Sequence, residues 1–171
     1  MAKLLLRWSA TGPDRARARW AALAPALILV LAVPVAAWWL VGDQSTVPVS
    51  MDPDYAFRPW RIGPVAARAA GLGSLAAGGV AAAVLIGVTL RGRLDVRWWA
   101  VLVPLLAAGS IAGAGWRVLT AGVIGANIGA GLVVMEGGPV VAGLLIWALA
   151  FSVHLSRSGG TGTPRAGQKS K

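Results

Sequence analysis

Residues Arg117 to Gly138 read RVLTAGVIGANIGAGLVVMEGG, and whether this run crosses a membrane decides the architecture of the chain. From Leu119 to Met135 it is apolar enough to tempt a reading as a transmembrane helix, which needs about 17 to 25 such residues. The sequence on either side supplies the means to decide.

Four other windows have the length and composition of spans: Trp20–Val41, Ala69–Leu90, Trp98–Trp116 and approximately Gly131–Leu155. The chain as a whole is 57% hydrophobic and 13% charged over 171 residues, with a mean hydropathy of +0.70, whereas soluble domains carry roughly 25% charged residues. A water-soluble globule is excluded on these grounds. The first apolar run is longer than the roughly 7 to 15 residues of a signal-peptide core, despite a small-residue stretch at Val35-Ala36-Ala37. It is therefore expected to stay as an anchor.

Charge placement gives the orientation. With the N-terminus in the cytoplasm, Lys3, Arg7, Arg15, Arg17, Arg19, Arg91, Arg93, Arg97, Arg157, Arg165, Lys169 and Lys171 fall inside. Arg58, Arg61, Arg68 and Arg117 stay outside with Asp43, Asp52, Asp54 and Glu136. Basic residues concentrate on the cytoplasmic side of spans, so the split argues for four spans with both termini cytoplasmic. Tryptophans prefer the headgroup level, and the same model puts Trp20, Trp98 and Trp99 at the inner boundary and Trp38, Trp39, Trp60 and Trp116 at the outer one.

A fifth span across Leu119–Met135 would export the basic tail and leave only Glu136 to Pro139 as a turn. The expected fold is thus an all-α integral membrane protein, a compact bundle of four transmembrane helices, with five spans as the alternative. Residues 1–19 form a basic cytoplasmic segment and 42–64 an outer loop. Residues 91–97 are a cytoplasmic loop, 117–130 a Gly-rich outer loop that dips back or lies on the surface, and 156–171 a disordered basic tail. Gly12-Pro13 limits any amphipathic helix near the N-terminus.

The net charge of +10 sits between the spans, where it orients helices and meets anionic headgroups, so nucleic acid is not an expected partner. Thirteen arginines against three lysines, with abundant Ala and Gly, fit a bacterial genome of high GC content. The expected location is accordingly a bacterial cytoplasmic (inner) membrane. The lipid bilayer is the expected partner, with another membrane protein or self-association beside it.

Residues that carry chemistry are few. No cysteine is present, which removes disulfides, thiolate metal sites and a cysteine nucleophile. The single histidine, His154, cannot form the usual zinc or bis-histidine haem set, so no cofactor or metal is expected, and a helix-end position suits it better. Ser74, Ser110 and Ser152 have no base nearby and no Gly-x-Ser-x-Gly elbow. GLGSLAAGG at Gly71–Gly79 lacks the lysine and the strand context of a phosphate loop. No catalytic residue is assigned, and the chain leans away from being an enzyme.

Small residues at a spacing of four permit close helix packing in lipid. Ala70, Ser74, Gly78 and Ala82 make such a series, as do Gly109 and Gly113, and Gly125 with Gly129. Pro25, Pro34 and Pro104 fall inside spans and can kink them. The segment DPDYAFRPWRIGP, Asp52–Pro64, is polar, aromatic and stiffened by Pro53, Pro59 and Pro64, each of which biases its predecessor toward extended backbone. An ordered, non-helical outer loop follows. Asp52, Asp54, Tyr55, Phe57, Arg58, Trp60 and Arg61 are its candidate interaction or structural residues, as a lid on the bundle or a docking site. Asn127 is a candidate loop or cap residue. Glu136, the ionisable group placed deepest in a span, is expected to pair with Arg117.

The function this supports is a small multi-pass membrane protein acting as an accessory or scaffold subunit through helix packing and its aromatic loop. A small oligomeric channel or transporter is the alternative, and a lipid-modifying membrane enzyme a more distant one.

Overall fold

The computed structural model describes residues 12–48, 51, 53–60, 62–124 and 126–158, with side chains from 22 onward except those of 127 and 158. Asp52, Arg61, Gly125, the first eleven residues and the tail from 159 lie outside the described residues, as does the side chain of Asn127. Among the described residues five α-helices occur: α1 Gly12–Val41, α2 Pro64–Leu90, α3 Trp99–Leu119, α4 Ala126–Leu132 and α5 Gly138–Ser158. A 3₁₀ turn, Val96–Trp98, leads into α3, and a π-helical turn, Val133–Gly137, joins α4 to α5 without a break. No strand forms among the described residues; one isolated antiparallel bridge joins Asp54 to Val123.

Four stretches are long and apolar enough to cross a membrane, Ala22–Val41, Pro64–Leu90, Val96–Leu119 and Ile128–Arg157. Each agrees with an expected span in place, and the first two share their expected ends at Val41 and Leu90, while the other ends shift by two to five residues. α2 begins at Pro64, five residues before Ala69, because Pro64 needs no hydrogen-bond acceptor in the first turn and the preceding Gly63 is extended at φ −61°, ψ 151°. α1 begins at Gly12, with Pro13 in its first turn for the same reason. Residues expected as a cytoplasmic segment therefore belong to the first helix.

The run Arg117–Gly138 forms neither a fifth span nor a long Gly-rich loop. α3 continues to Leu119, and the reversal is confined to residues 120–125 before the last rod begins at Ala126. At the end of α3 the Trp116 carbonyl accepts from both the Thr120 amide, at 3.1 Å, and the Thr120 hydroxyl, at 2.7 Å. Of the glycines that follow, Gly129 packs: a Cβ there would rest 3.7 Å from Val118 of α3, whereas Gly131 faces open space. Pro139 explains the π turn, since a proline clashes with the carbonyl four residues back and a widened turn relieves the clash.

α2 and α3 connect through a short reversal. Gly92, at φ +67°, takes the left-handed position past the end of α2, and Asp95 caps the next turn by accepting from the Arg97 amide at 2.9 Å. Trp99 then donates its indole N–H to Thr89 at 3.1 Å. Beside this junction Leu85, fully buried, clusters with Leu29, Ala81 and Leu102, so three helices converge at that end.

The spatial order is α2, α1, α3, α5. α1 packs on both α2 and α3, α3 packs on α5, and α5 has no comparable contact with α1 or α2. The expected compact bundle is therefore an open row, with α5 held along one side only. Close approaches explain the order. Gly113 of α3 lies against the Pro34 carbonyl of α1, where a Cβ would collide with it, and Gly109 lies against the Pro34 ring. Across the other side of α1, Gly71 of α2 lies under the Trp39 ring and Gly78 against Ala32 and Leu29.

Of the expected series on α2, Gly78 is buried, Ser74 and Ala82 are half-buried, and Ala70 is exposed. Helical geometry accounts for the drift: four residues turn about 400°, so each step advances the face by about 40°. The face in use is Gly71, Ser74, Gly78, Ala81 and Leu85, at alternating steps of three and four.

Candidate functional site

Polar chemistry among the described residues collects at the end of the row where α1 and α3 stop. α1 terminates at Gly42, whose φ is +73°, and the Gln44 amide donates back to the Val41 carbonyl at 2.7 Å. Asp43 accepts from the Ser45 amide at 3.0 Å in a local turn. The Ser45 backbone and side chain, and more weakly the Arg117 charge, hold the Asp43 carboxyl below its usual range, against a smaller opposing effect of burial. Arg117, on the last turn of α3, donates from Nε to the Trp38 carbonyl at 3.0 Å, and its guanidinium carbon stands 4.1 Å from the centre of the Trp38 ring. A guanidinium over an indole face is a favourable cation–π arrangement. It also satisfies a carbonyl that the end of α1 leaves without a helical partner.

The loop that follows α1 is tied down by main-chain bonds to the turn after α3. The Thr46 and Val47 amides both donate to the Gly122 carbonyl, at 3.1 and 3.2 Å, and the Gly122 amide donates to Ser45 Oγ at 3.0 Å. The Val123 amide donates to the Asp54 carbonyl at 3.2 Å and the Phe57 amide to the Leu119 carbonyl at 3.1 Å. The Tyr55 ring covers Gly122, where a Cβ would stand 3.0 Å from Cε1, and Phe57 stacks on Trp116 with centroids 6.1 Å apart. Pro53 is buried beneath this clasp. Five such hydrogen bonds, each worth about 0.5 to 1.5 kcal/mol net, make an ordered cap.

Sequence-derived candidates divide accordingly. Asp54, Tyr55, Phe57 and Arg117 are brought together at this cap, Asp54 through its backbone. Arg58 and Trp60 face outward, Trp60 with 86% of its surface exposed, and Arg58 makes no ion pair with Asp54. Asn127 sits at the start of α4. The expected Arg117–Glu136 pair is not formed, because Arg117 is engaged by Trp38 on the α1 side of α3. Asp43, Ser45 and Gly122 belong to the cap but were not among the candidates. Gly42-Asp43-x-Ser45 is a readable helix stop and turn; nothing in residue type marks Gly122 as an acceptor for two amides.

Glu136 lies elsewhere, on the π turn, along a groove of about 440 Å³. The floor is α3, with Ile111, Ala114 and Gly115, and the walls are Val41 at the end of α1 and Val133 beside Glu136. Gly137 packs 3.7 Å from Ile111 when given a Cβ, which sets Glu136 level with a point six residues, or about 9 Å, below Arg117 along α3. Among the described residues no cation and no hydrogen-bond donor reaches Glu136. On α5, Trp147 stacks with Phe151 at 6.3 Å, and Phe151 meets His154 at 6.0 Å in a tilted arrangement. Trp147 is 59% exposed, so this ladder lies on the uncovered side of the last helix.

Comparison with protein-family models, with curated proteins and with solved structures gives no match to this chain.

Proposed function

We propose that the chain is an accessory or scaffold subunit of a membrane assembly, seated in a bacterial inner membrane with both termini cytoplasmic. One observation carries this reading: α5 leans on α3 alone, and Ala148 is the one buried residue among its described side chains. A helix held on a single side leaves an apolar face that includes the mid-span Trp147, whereas tryptophan favours the headgroup level. Such a ring is better placed against another protein than against acyl chains. The clasped loop then serves as a rigid cap that holds α1 and α3 in register while α5 is presented. Affinity purification of the tagged full chain in mild detergent is the test. Co-purification of a second membrane protein in fixed ratio, weakened by Trp147→Ala, is expected; recovery of a lone oligomer of this chain refutes the subunit role and favours transport.

A further inference from the structure

We infer that the groove over α3 seats one transmembrane helix of a different protein, and that this helix carries a lysine or arginine at the depth of Glu136. The inference rests on the accessory reading and names the chemistry of the partner.

Shape provides the first part. In the row, α1 and the α4–α5 rod flank α3, and where α1 ends at Val41 they form two walls over a floor whose open small residue is Ala114, Gly115 being covered by Val133. Small residues on a floor between flanking helices let another helix backbone approach closely, which drives association in lipid where hydrophobicity cannot. Seating an apolar helix in such a groove is a recurrent mode of recognition.

Charge decides the occupant. Glu136 is the ninth residue of the span Ile128–Arg157, about 12 Å along the helix from its start, and no described residue neutralises it. An acyl chain in the groove would leave a carboxylate facing hydrocarbon, which is costly, and intramembrane carboxylates pair with a cation or mark a functional contact. The chain's own cations do not serve. Arg117 is held by Trp38, Arg68 is the fifth residue of its span, and Arg97 and Arg157 lie at the opposite end of theirs. A second copy thus brings no basic side chain to this depth, whereas a foreign helix with one does.

The test uses the full chain, which has no native cysteine, labelled at Ser156→Cys and reconstituted in phosphatidylcholine vesicles. The probes are synthetic Leu/Ala transmembrane peptides with Lys, Leu or Glu at one position about 12 Å from the outer end, and association is read by energy transfer. The Lys peptide is expected to bind at least tenfold more tightly than the Leu peptide, and Glu136→Gln to abolish that preference. Glu136→Lys should reverse it toward the Glu peptide. Equal binding of the Lys and Leu peptides overturns the inference without relying on any protein variant, so misfolding of a variant does not blur the result. Transfer between labelled copies that the Lys peptide fails to displace also overturns it, by assigning the groove to a second copy. Failure here leaves co-purification through the α5 face untouched, while absence of any co-purifying chain refutes the accessory role and leaves the peptide data intact.

Discussion

At Gly113 the main chains of α1 and α3 meet with no side chain between them, and the Pro34 carbonyl occupies the space a Cβ would need. Two opposing effects bear on a substitution there. Alanine gains about 0.5 to 1 kcal/mol over glycine inside a helix, but overpacking against an unyielding backbone costs about 1 to 3 kcal/mol. The collision wins, so Gly113→Ala is expected to lower the thermal midpoint in detergent. Gly79→Ala, which faces open space, should be neutral or better. A midpoint for Gly113→Ala at or above wild type would remove the contact from the account. Gly109 and Gly113 were legible because small residues four apart on one helix are a packing signal on their own. Arg117 was legible as a candidate but not in its partner: charge pairing points to Glu136, and no inventory of side chains reveals that a carbonyl at Trp38 will be left free on the neighbouring helix.

Among elements, the loop between α1 and α2 shows how far composition reaches. Pro53, Pro59 and Pro64 foretold an ordered segment without helix, yet they say nothing of which aromatic turns inward. Tyr55 and Phe57 pack on Gly122 and Trp116, while Trp60 stands away. Tyr55→Ser should therefore cost about 1 to 3 kcal/mol, Phe57→Ser, whose side chain is 54% exposed, about 1 kcal/mol, and Trp60→Ser about 0.5 kcal/mol or less. Denaturation in mixed micelles would separate them, and a loss from Trp60→Ser equal to the other two would contradict the observed packing. The spans themselves were legible from length and apolarity. The ends at Val41 and Leu90 were legible too; others were not, because Pro64 can open a helix as readily as it can end a loop, and the contact of Gly129 with Val118 of α3 is not written in composition.

For the molecule as a whole, four helices long and apolar enough to span a membrane follow from hydropathy, but the order α2, α1, α3, α5 does not. Hydropathy measures how each helix meets lipid, whereas neighbours are chosen by the glycine and proline surfaces that let backbones approach. The proposed four-span topology has a direct consequence. Reporter fusions after Lys171 and at Gly12 are expected to show cytoplasmic activity, and fusions at Gln44 and Ile124 periplasmic activity. Opposite signals at Gly12 and Lys171 would demand an odd number of crossings, for which α3, ending at Leu119, leaves no room.

The clasp at Gly122 is written almost wholly in main-chain atoms: the amides of Thr46, Val47, Val123 and Phe57 and the carbonyls of Gly122, Asp54 and Leu119. A lock of that kind is indifferent to most of the side chains mounted on it and sensitive to the number of residues between its teeth. In the language of variation, the segments 46–57 and 119–123 should accept substitutions freely apart from Tyr55, Phe57, Gly122 and the buried Pro53, Thr120 and Ala121. Inserting or deleting a single residue between Val47 and Asp54 would put the bonds of Thr46 and Val47 out of step with those of Asp54 and Phe57. Length, more than spelling, is what this part of the chain has to preserve.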